Sequence, residues 1–395
     1  MNNSTFYNNT KFLLMGFFVF SSLSSTIIID YLHFPMSLPE VLFMPFLILL
    51  KKKFKSVKVN VSEVFVVLFV CFFLVLIGYF YEQYSLFSML SSARAWIYLL
   101  LCIIVFKHKN SITNSDLLWL CFGSIAAWFV DSQISFWSLM MGLAKKYFVV
   151  TFGLYLAVPI LLTSCLFRKK YVLFVISIVI ISGTIIYAGV RRLLAITVIA
   201  LFFAIFLSLK NSGKRILPYI ILSSLLISGF MISIPTIGNF MEERSYGMYY
   251  RIFVRTESMT GELSSSDTKR QNNFTNLAEN LIDYTIPRGM VSLKPGSDKE
   301  TGVFNDFPLY QLCWIFGWPI ALIILGYFLR ILFRNYNKFN KENDETSIIS
   351  INCMIIMFVL LFLDGTFIEY PYSTPITGVI LGRAILNAKS REIII

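Results

Sequence analysis

The sequence predicts an all-α, polytopic integral membrane protein with about 12 transmembrane helices and one large polar loop. Of its 395 residues, 57% are hydrophobic and 14% are charged, whereas a soluble domain averages roughly 45–50% apolar and about 25% charged residues. Apolar runs of about 18 or more residues, long enough to cross a bilayer as helices, recur along the whole chain. The runs are solidly apolar, unlike the alternating strands of a membrane barrel, so a helical bundle is expected.

Short polar segments separate the apolar runs, and the large loop divides the chain into three regions. Residues 1–235 hold the first nine spans, residues 236–307 form the large loop, and residues 308–395 hold the last three spans. All three regions belong to one membrane domain. The predicted spans are 12–29, 37–50, 62–81, 92–106, 117–130, 148–166, 171–189, 193–209, 216–235, 308–329, 348–364 and 374–388.

The charges of the connecting segments orient the chain in the membrane. With the N-terminus inside, 20 lysines and arginines fall on inner segments and five on short outer segments. Positive residues accumulate on the cytoplasmic side, so both termini are expected in the cytoplasm and the large loop outside. The formal net charge of +12 is explained mostly by cytoplasmic segments that face anionic lipid, and no nucleic-acid partner is indicated.

The large loop carries the signals of an ordered segment. A helix is predicted from a cap at residues 264–267 to about Asp283, and turn signals follow at 287–289 and 295–296. We therefore expect the loop to form an ordered cap over the outer face of the membrane domain.

Neither a metal site nor a disulfide is expected. The six cysteines fall in six different apolar runs, without a CxxC pair or a nearby histidine cluster. The outer loop contains no Asp-x-Asp sequence, a spacing of carboxylates that can hold a divalent metal ion.

Arg191 and Arg192 are the most unusual charges in the sequence. They lie at the outer end of the seventh and eighth spans, where the positive-inside rule disfavours them. An arginine at the centre of a bilayer costs about 2.5–3.5 kcal/mol on insertion scales, and less at the interface. Either these side chains extend to lipid headgroups, or they form a phosphate site, because a planar guanidinium binds two oxygens at once. Arg94, at the outer end of the fourth span, is a residue of the same kind.

Three short elements follow one another in the second half of the chain. The first is Gly189-Val190-Arg191-Arg192-Leu193-Leu194-Ala195 at the start of a span; the second is Lys269-Arg270-Gln271 with Leu277-Ala278 and Pro287-Arg288-Gly289; the third is Phe304-Asn305-Asp306-Phe307-Pro308-Leu309 with Leu312 and Gly317. In this order they resemble motifs of the bacterial O-antigen polymerases and ligases, the Wzy and WaaL families. The stretch from the first element to the last is about 130 of the 395 residues long.

The resemblance implies a metal-independent glycosyltransferase of the GT-C type, without a cofactor, in the bacterial inner membrane with its active site facing the periplasm. Its donor and acceptor would be undecaprenyl-diphosphate-linked oligosaccharides, and a protein that regulates chain length is an expected partner. In the ligases a histidine stands where this chain has Phe304, so the resemblance favours the polymerases. A ligase that transfers chains to lipid A core and a flippase for the lipid-linked oligosaccharide are the alternatives.

By the same resemblance, either Arg191 or Arg192 would hold the donor's diphosphate together with Arg270, since fixed arginines can replace a metal. Asn305 would line the site. Asp306 is the candidate general base, because an acceptor hydroxyl has a high pKa; alternatively Asp306 caps the following helix. The further candidates for substrate binding are Arg94, Arg251, Arg288, Tyr249, Tyr250 and Glu243, with Glu243 also a second candidate for the base. Tyr249, Tyr250 and Tyr310 either stack on sugars or lie at the membrane interface for their amphipathic character.

Overall fold

A computed structural model of the chain confirms the all-α class over the residues that it describes. These are 3–19, 61–82, 86–107, 112–140, 154–188, 191–212, 281–290, 308–363 and 374–389, with the single positions 42, 221, 239, 242, 243, 275, 278 and 279. Within them there are eleven helices and no strand. The helices are α1 (Asn3–Val19), α2 (Val61–Glu82), α3 (Leu86–Phe106), α4 (Asn114–Met140), α5 (Leu154–Phe167), α6 (Tyr171–Ala188), α7 (Arg191–Ser212), α8 (Pro308–Phe316), α9 (Trp318–Glu342), α10 (Glu345–Leu363) and α11 (Thr374–Lys389).

Three of the described helices are long and apolar enough to cross a membrane, namely α2 over Val61–Tyr81, α9 and α10. The helices α3, α5, α6 and α7 contain shorter apolar stretches. Large apolar side chains cover the exposed face of α2, where Phe65 and Phe69 are more than two-thirds exposed. Such a continuous exposed apolar face is unusual in a soluble protein and normal against lipid. The architecture is therefore that of a helical membrane protein.

The chain divides into two compact units, each of which takes helices from distant parts of the sequence. Unit 1 comprises Met1–Pro39 and Asn114–Ser264 and contains α1, α4, α5, α6 and α7. Unit 2 comprises Glu40–Thr113 and Ser265–Ile395 and contains α2, α3 and α8 to α11. The hydropathy pattern did not indicate this division, because it reports which segments are apolar and not which segments pack together.

Unit 1 is built around α5, whose residues from Leu154 to Leu166 are all buried. The helix is apolar on every side, as expected for a helix surrounded by others, and α4, α6 and α7 pack against it. The helix α1 packs along α4. A Cβ atom at Gly16 would collide with the carbonyl of Leu120, and one at Gly123 with that of Leu13. These two glycines therefore let the backbones of α1 and α4 approach each other closely.

In unit 2, the helix α3 packs against α2 and α11, while α9, α10 and α11 contact one another. A Cβ atom at Gly378 would lie 2.6 Å from the carbonyl oxygen of Leu99, so α11 and α3 also approach closely. Arg383 of α11 is 4% exposed and its Nη1 donates a hydrogen bond of 2.7 Å to the carbonyl of Ile112. This bond fixes the backbone of Ile112 to the buried side of α11.

The predicted span 308–329 is divided into two helices, which corrects the expectation of one continuous helix. The division is at Gly317, which has a φ of 79° and separates α8 from α9. Residues with a side chain rarely adopt this backbone conformation. Pro319 lies in the first turn of α9, where proline is well tolerated. The helix α9 then continues through the predicted inner segment to Glu342 and ends at Asn343, whose φ is 51°.

A buried group of polar side chains joins α9, α10 and α11 at the far end of α9. Nδ2 of Asn387 donates to Oδ1 of Asn335 at 2.7 Å and to Oγ of Ser347 at 2.8 Å. Nζ of Lys338 donates to Oδ1 of Asn387 at 2.8 Å, and Nδ2 of Asn335 donates to the carbonyl of Ala384 at 3.1 Å. We call Asn335, Lys338, Ser347 and Asn387 the asparagine network.

Candidate functional site

The arginine pair opens a helix, as the sequence predicts. The helix α6 ends at Ala188 and α7 begins at Arg191, with Arg192 partly buried in its first turn. That turn contains no acidic residue, and the N-terminal end of a helix already carries a partial positive charge. An anion bound at this end would therefore be stabilised by the helix dipole and by the arginines together.

One part of the predicted outer loop, residues 281–290, is fixed to helices of unit 2 by backbone hydrogen bonds. We call it the docked segment. The amide of Met290 donates to the carbonyl of Leu74 in α2 at 3.0 Å, and the amide of Arg288 donates to the carbonyl of Trp314 in α8 at 2.9 Å. The amide of Trp318, at the start of α9, donates to the carbonyl of Tyr284 at 2.9 Å. The segment thus connects α2 with the α8–α9 break.

Two glycines make the contact with α2 possible. Gly289 has a φ of 84°, and a Cβ atom there would collide with the amide nitrogen of Gly78 and the carbonyl oxygen of Leu74. A Cβ atom at Gly78 would in turn meet the backbone of Met290. Both positions therefore require glycine, one for its conformation and both for the short distance between the two backbones.

The side chain of Arg288 lies among three aromatic rings, which we call the aromatic cage. Its Cζ atom is 4.7 Å from the ring centroid of Trp314, 4.8 Å from that of Tyr284 and 5.6 Å from that of Tyr81. These distances are typical of cation–π contacts, which favour arginine over ring faces. Nε of Arg288 is buried and has no hydrogen-bond acceptor among the described residues, and no described carboxylate pairs with the guanidinium.

Contacts with Tyr310 hold two rings of the aromatic cage in place. The hydroxyl oxygens of Tyr284 and Tyr310 are 2.7 Å apart and hydrogen-bonded, and the two rings meet edge to face at 5.4 Å between centroids. Tyr310 also contacts Trp314 at 6.3 Å and is only 5% exposed. The ring of Tyr310 is therefore occupied by internal packing, and it is not free to stack on a sugar, which was one of the two alternatives for it.

The described last parts of the second and third sequence elements meet at this place. A Cβ atom at Gly317 would lie 2.7 Å from the carbonyl oxygen of Thr285 and 3.5 Å from Cδ of Pro287. With the bond from Arg288 to Trp314, this puts the Pro287-Arg288-Gly289 turn directly against α8 and the glycine that ends it. Sequence reasoning named Arg288 and Gly317 but missed Tyr81, Tyr284 and Trp314, since no motif or spacing connects these three aromatic residues.

The remaining predicted site residues are only partly described. Arg94 lies partly buried on α3, two residues before Trp96, whose ring packs on Phe316 of α8 at 5.3 Å between centroids. Glu243 occupies an exposed helical position. Arg191 opens α7, but nothing further is described of its side chain. Outside the described residues lie Asp306, Arg270, Asn305, Arg251, Tyr249 and Tyr250.

The arrangement around Arg288 suits the binding of an oxyanion. The guanidinium lies among the three rings, its Nε has no acceptor among the described residues, and a guanidinium matches the paired oxygens of a phosphate or a carboxylate. Within the part of the chain that the structure describes, no group of three or more histidine, cysteine, aspartate and glutamate side chains could hold a metal ion.

No protein-family model, no curated protein and no solved structure matches the chain.

Proposed function

We propose that the chain is an O-antigen polymerase, a metal-independent glycosyltransferase of the bacterial inner membrane. It would transfer the growing glycan from undecaprenyl diphosphate to a sugar hydroxyl of a new lipid-linked repeat unit at the periplasmic face. The observation that carries the proposal is the contact of the Pro287-Arg288-Gly289 turn, the last part of the second element, with α8 and Gly317 of the third, where Arg288 lies in the aromatic cage. Segments distant in sequence that resemble one family's motifs are expected to converge if they build one site.

Two further observations support the proposal. The first sequence element opens α7 with its arginine pair, at a helix end that favours anions. Three of the described helices have the length and apolar character of membrane spans. In the proposed topology about 12 spans cross the membrane, both termini are cytoplasmic, and the docked segment faces the periplasm.

The proposed reaction breaks the bond between the donor's anomeric carbon and its phosphate oxygen. The electron pair of that bond goes to the diphosphate, whose added negative charge would be stabilised by Arg191, Arg192 and Arg270. The acceptor hydroxyl forms the new glycosidic bond and loses its proton to Asp306. The balance requires only the two lipid-linked substrates.

A flippase for the same lipid-linked oligosaccharide is the second candidate. The division of the chain into two helical units is the kind of architecture that a transporter uses for alternating access. A docked loop segment with a caged arginine has no evident use in flipping, whereas it can position a diphosphate for transfer. The polymerase therefore remains the first proposal.

The deciding experiment is the lipopolysaccharide of a deletion strain on a gel. A polymerase deletion leaves one repeat unit on the core, whereas loss of a ligase or a flippase leaves none. Complementation with Arg191→Lys, Arg192→Lys and Arg270→Lys then tests the diphosphate site, because lysine cannot reproduce the paired geometry of arginine. Arg330→Lys, at an exposed position of α9, is the control and should restore long chains fully.

Asp306→Asn tests the proposed base separately. Asparagine caps a helix about as well as aspartate but cannot accept a proton, so the variant should fold and lose a factor of about 10²–10⁴ in rate. Long chains should be nearly absent while the lipid-linked single repeat accumulates. Normal polymerisation by this variant would exclude Asp306 as the base and make Glu243 the next candidate.

A further inference from the structure

We propose that the turn between α5 and α6 binds the headgroup of an anionic phospholipid, with one acyl chain along the exposed face of α6. The site lies within unit 1 and is independent of the proposed polymerase function. It consists of an open groove of about 440 Å³, lined by Lys169, Lys170, Tyr171, Val172, Leu173 and Ile176.

The backbone of the turn is the first reason to assign a role to Lys169. The amide of Lys170 donates to the carbonyl of Cys165 and the amide of Lys169 to that of Leu166, at 2.9 and 3.1 Å. This pair of bonds is the Schellman motif, in which the residue at the position of Lys169 is usually glycine. Lys169 has a φ of 57°, a conformation that is strained for a residue with a side chain. A lysine at a position that favours glycine points to a use for its side chain.

The charges at this turn are the second reason. Both lysines are exposed, and neither forms an ion pair with a carboxylate of the described chain. The C-terminal end of α5 favours positive charge, but α6 begins at Tyr171 and its N-terminal end disfavours it. The two helix dipoles therefore largely offset each other, and the lysine pair is left as a local excess of positive charge. An anionic group is the complementary ligand.

The apolar face next to the lysines decides what kind of anion fits. Val172, Ile176 and Val179 are 77%, 44% and 59% exposed and follow one another at spacings of four and three residues. They form a stripe of roughly 10 Å along α6, at 1.5 Å per residue. A soluble anion would contact the lysines and leave this stripe uncovered. A phospholipid covers both, since its headgroup reaches the lysines while an acyl chain follows the stripe.

A fluorophore placed at the far end of the stripe tests the proposal. Val179→Cys can be labelled selectively, because all six native cysteines are buried. The full chain is placed in phosphatidylcholine nanodiscs that contain a small fraction of phosphatidylglycerol with brominated acyl chains, which quench the fluorophore on contact. Each basic residue near an anionic lipid contributes about fivefold to binding, so the two lysines should enrich phosphatidylglycerol about 25-fold at the label. The double variant Lys169→Gly/Lys170→Gln should abolish most of this enrichment.

The variants and controls keep the outcome decisive. Glycine at position 169 relieves the strained backbone, so this variant should fold at least as well as the parent. Lys169→Arg/Lys170→Arg should retain the enrichment. Lys341→Gln/Lys389→Gln removes two exposed lysines from the ends of α9 and α11 and should have no effect. The same fluorophore on Phe202→Cys should report only the bulk lipid composition. Phe202 is 61% exposed on α7.

Any of three results overturns the proposal. The first is that the parent and Lys169→Gly/Lys170→Gln show equal quenching, and the second is that Lys341→Gln/Lys389→Gln loses as much quenching as that variant. The third is that brominated phosphatidylcholine quenches the label as strongly as brominated phosphatidylglycerol. If the double variant does not fold, Lys170→Gln alone must lower the enrichment about fivefold, and an unchanged value would overturn the proposal equally.

Discussion

The two ends of unit 2 hold their helices together in different ways. At one end, the docked segment and α8 place Arg288 in the aromatic cage, with its Nε lacking an acceptor among the described residues. At the other end, about 25 Å further along α9 at 1.5 Å per residue, the asparagine network links three helices by hydrogen bonds between its own members.

This difference indicates that the asparagine network has a structural role, whereas Arg288 is a candidate binding group. Buried donors and acceptors that satisfy one another stabilise a single arrangement and have little capacity left for a ligand. A charged group fixed by ring faces is held in position while the donors at its edge stay available. The comparison therefore predicts that changes at the asparagine network act on stability, whereas changes at Arg288 act mainly on function.

The largest expected contrast between the two ends is their side of the membrane. Ile282 is 87% exposed in the docked segment, and Lys341 is exposed near the end of α9. In the proposed topology, Ile282→Cys reacts with a membrane-impermeant thiol reagent added to spheroplasts, and Lys341→Cys reacts only after the membrane is permeabilised. The parent chain, whose six cysteines are buried, provides the background. Reaction of both positions from the same side would exclude α9 as a span.

The next largest effect is expected at the contact between the docked segment and α2. Gly289→Ala introduces a Cβ atom that collides with the backbone at Gly78 and Leu74, at a φ of 84°. Strain and overpacking together should lower the free energy of unfolding by about 3 kcal/mol or more. Thermal unfolding of the purified protein in detergent measures the loss.

Gly326→Ala is the matched control for this glycine. Nothing lies within 4 Å of a Cβ atom built at Gly326 in α9, and alanine favours helices over glycine by about 1 kcal/mol. The control should therefore unfold at the same temperature as the parent or a higher one. An equally mild effect at Gly289 would mean that the docked segment does not pack on α2 in this way.

Asn387→Ala should have an intermediate effect, because it removes the centre of the asparagine network. It takes partners from Asn335, Lys338 and Ser347 while leaving them buried or partly buried. Unsatisfied buried groups of this kind cost about 1–3 kcal/mol. Asn337→Ala, at an exposed position of α9, should change stability by less than about 0.5 kcal/mol. Similar unfolding temperatures for the two variants would contradict the network.

The sequence predicts local features of unit 2 better than its contacts. The apolar runs that became α2 and α10 were recognised because a 20-residue apolar stretch is a strong signal. The break at Gly317 was missed, although a glycine followed two residues later by a proline is a start signal for a helix. Asn335 and Asn387 are 52 residues apart, and nothing in either local sequence indicates that they meet.

At the candidate site, too, the sequence predicted local features but not the contacts between distant residues. A span beginning at residue 193, directly after the arginine pair, was predicted, and α7 begins two residues earlier at Arg191. The aromatic cage was not, because Tyr81, Tyr284 and Trp314 come from α2, the docked segment and α8. An aromatic residue before a loop is also common at any membrane interface, so the sequence gives no reason to single these three out.

The smallest effect on stability is expected at Arg288 itself. Arg288→Lys keeps the positive charge and a weaker contact with the rings, so the free energy of unfolding should fall by only about 1 kcal/mol. Lysine cannot present two donors in one plane, and if the edge of the guanidinium binds the donor's diphosphate, long O-antigen chains should be lost at normal protein levels. Arg288→Gln should behave alike in the gel, since it removes the charge, and both are compared with Arg330→Lys. Wild-type chain lengths with Arg288→Lys would show that the cage holds this arginine for structure alone, and the contrast between the two ends of unit 2 would then lose its functional meaning.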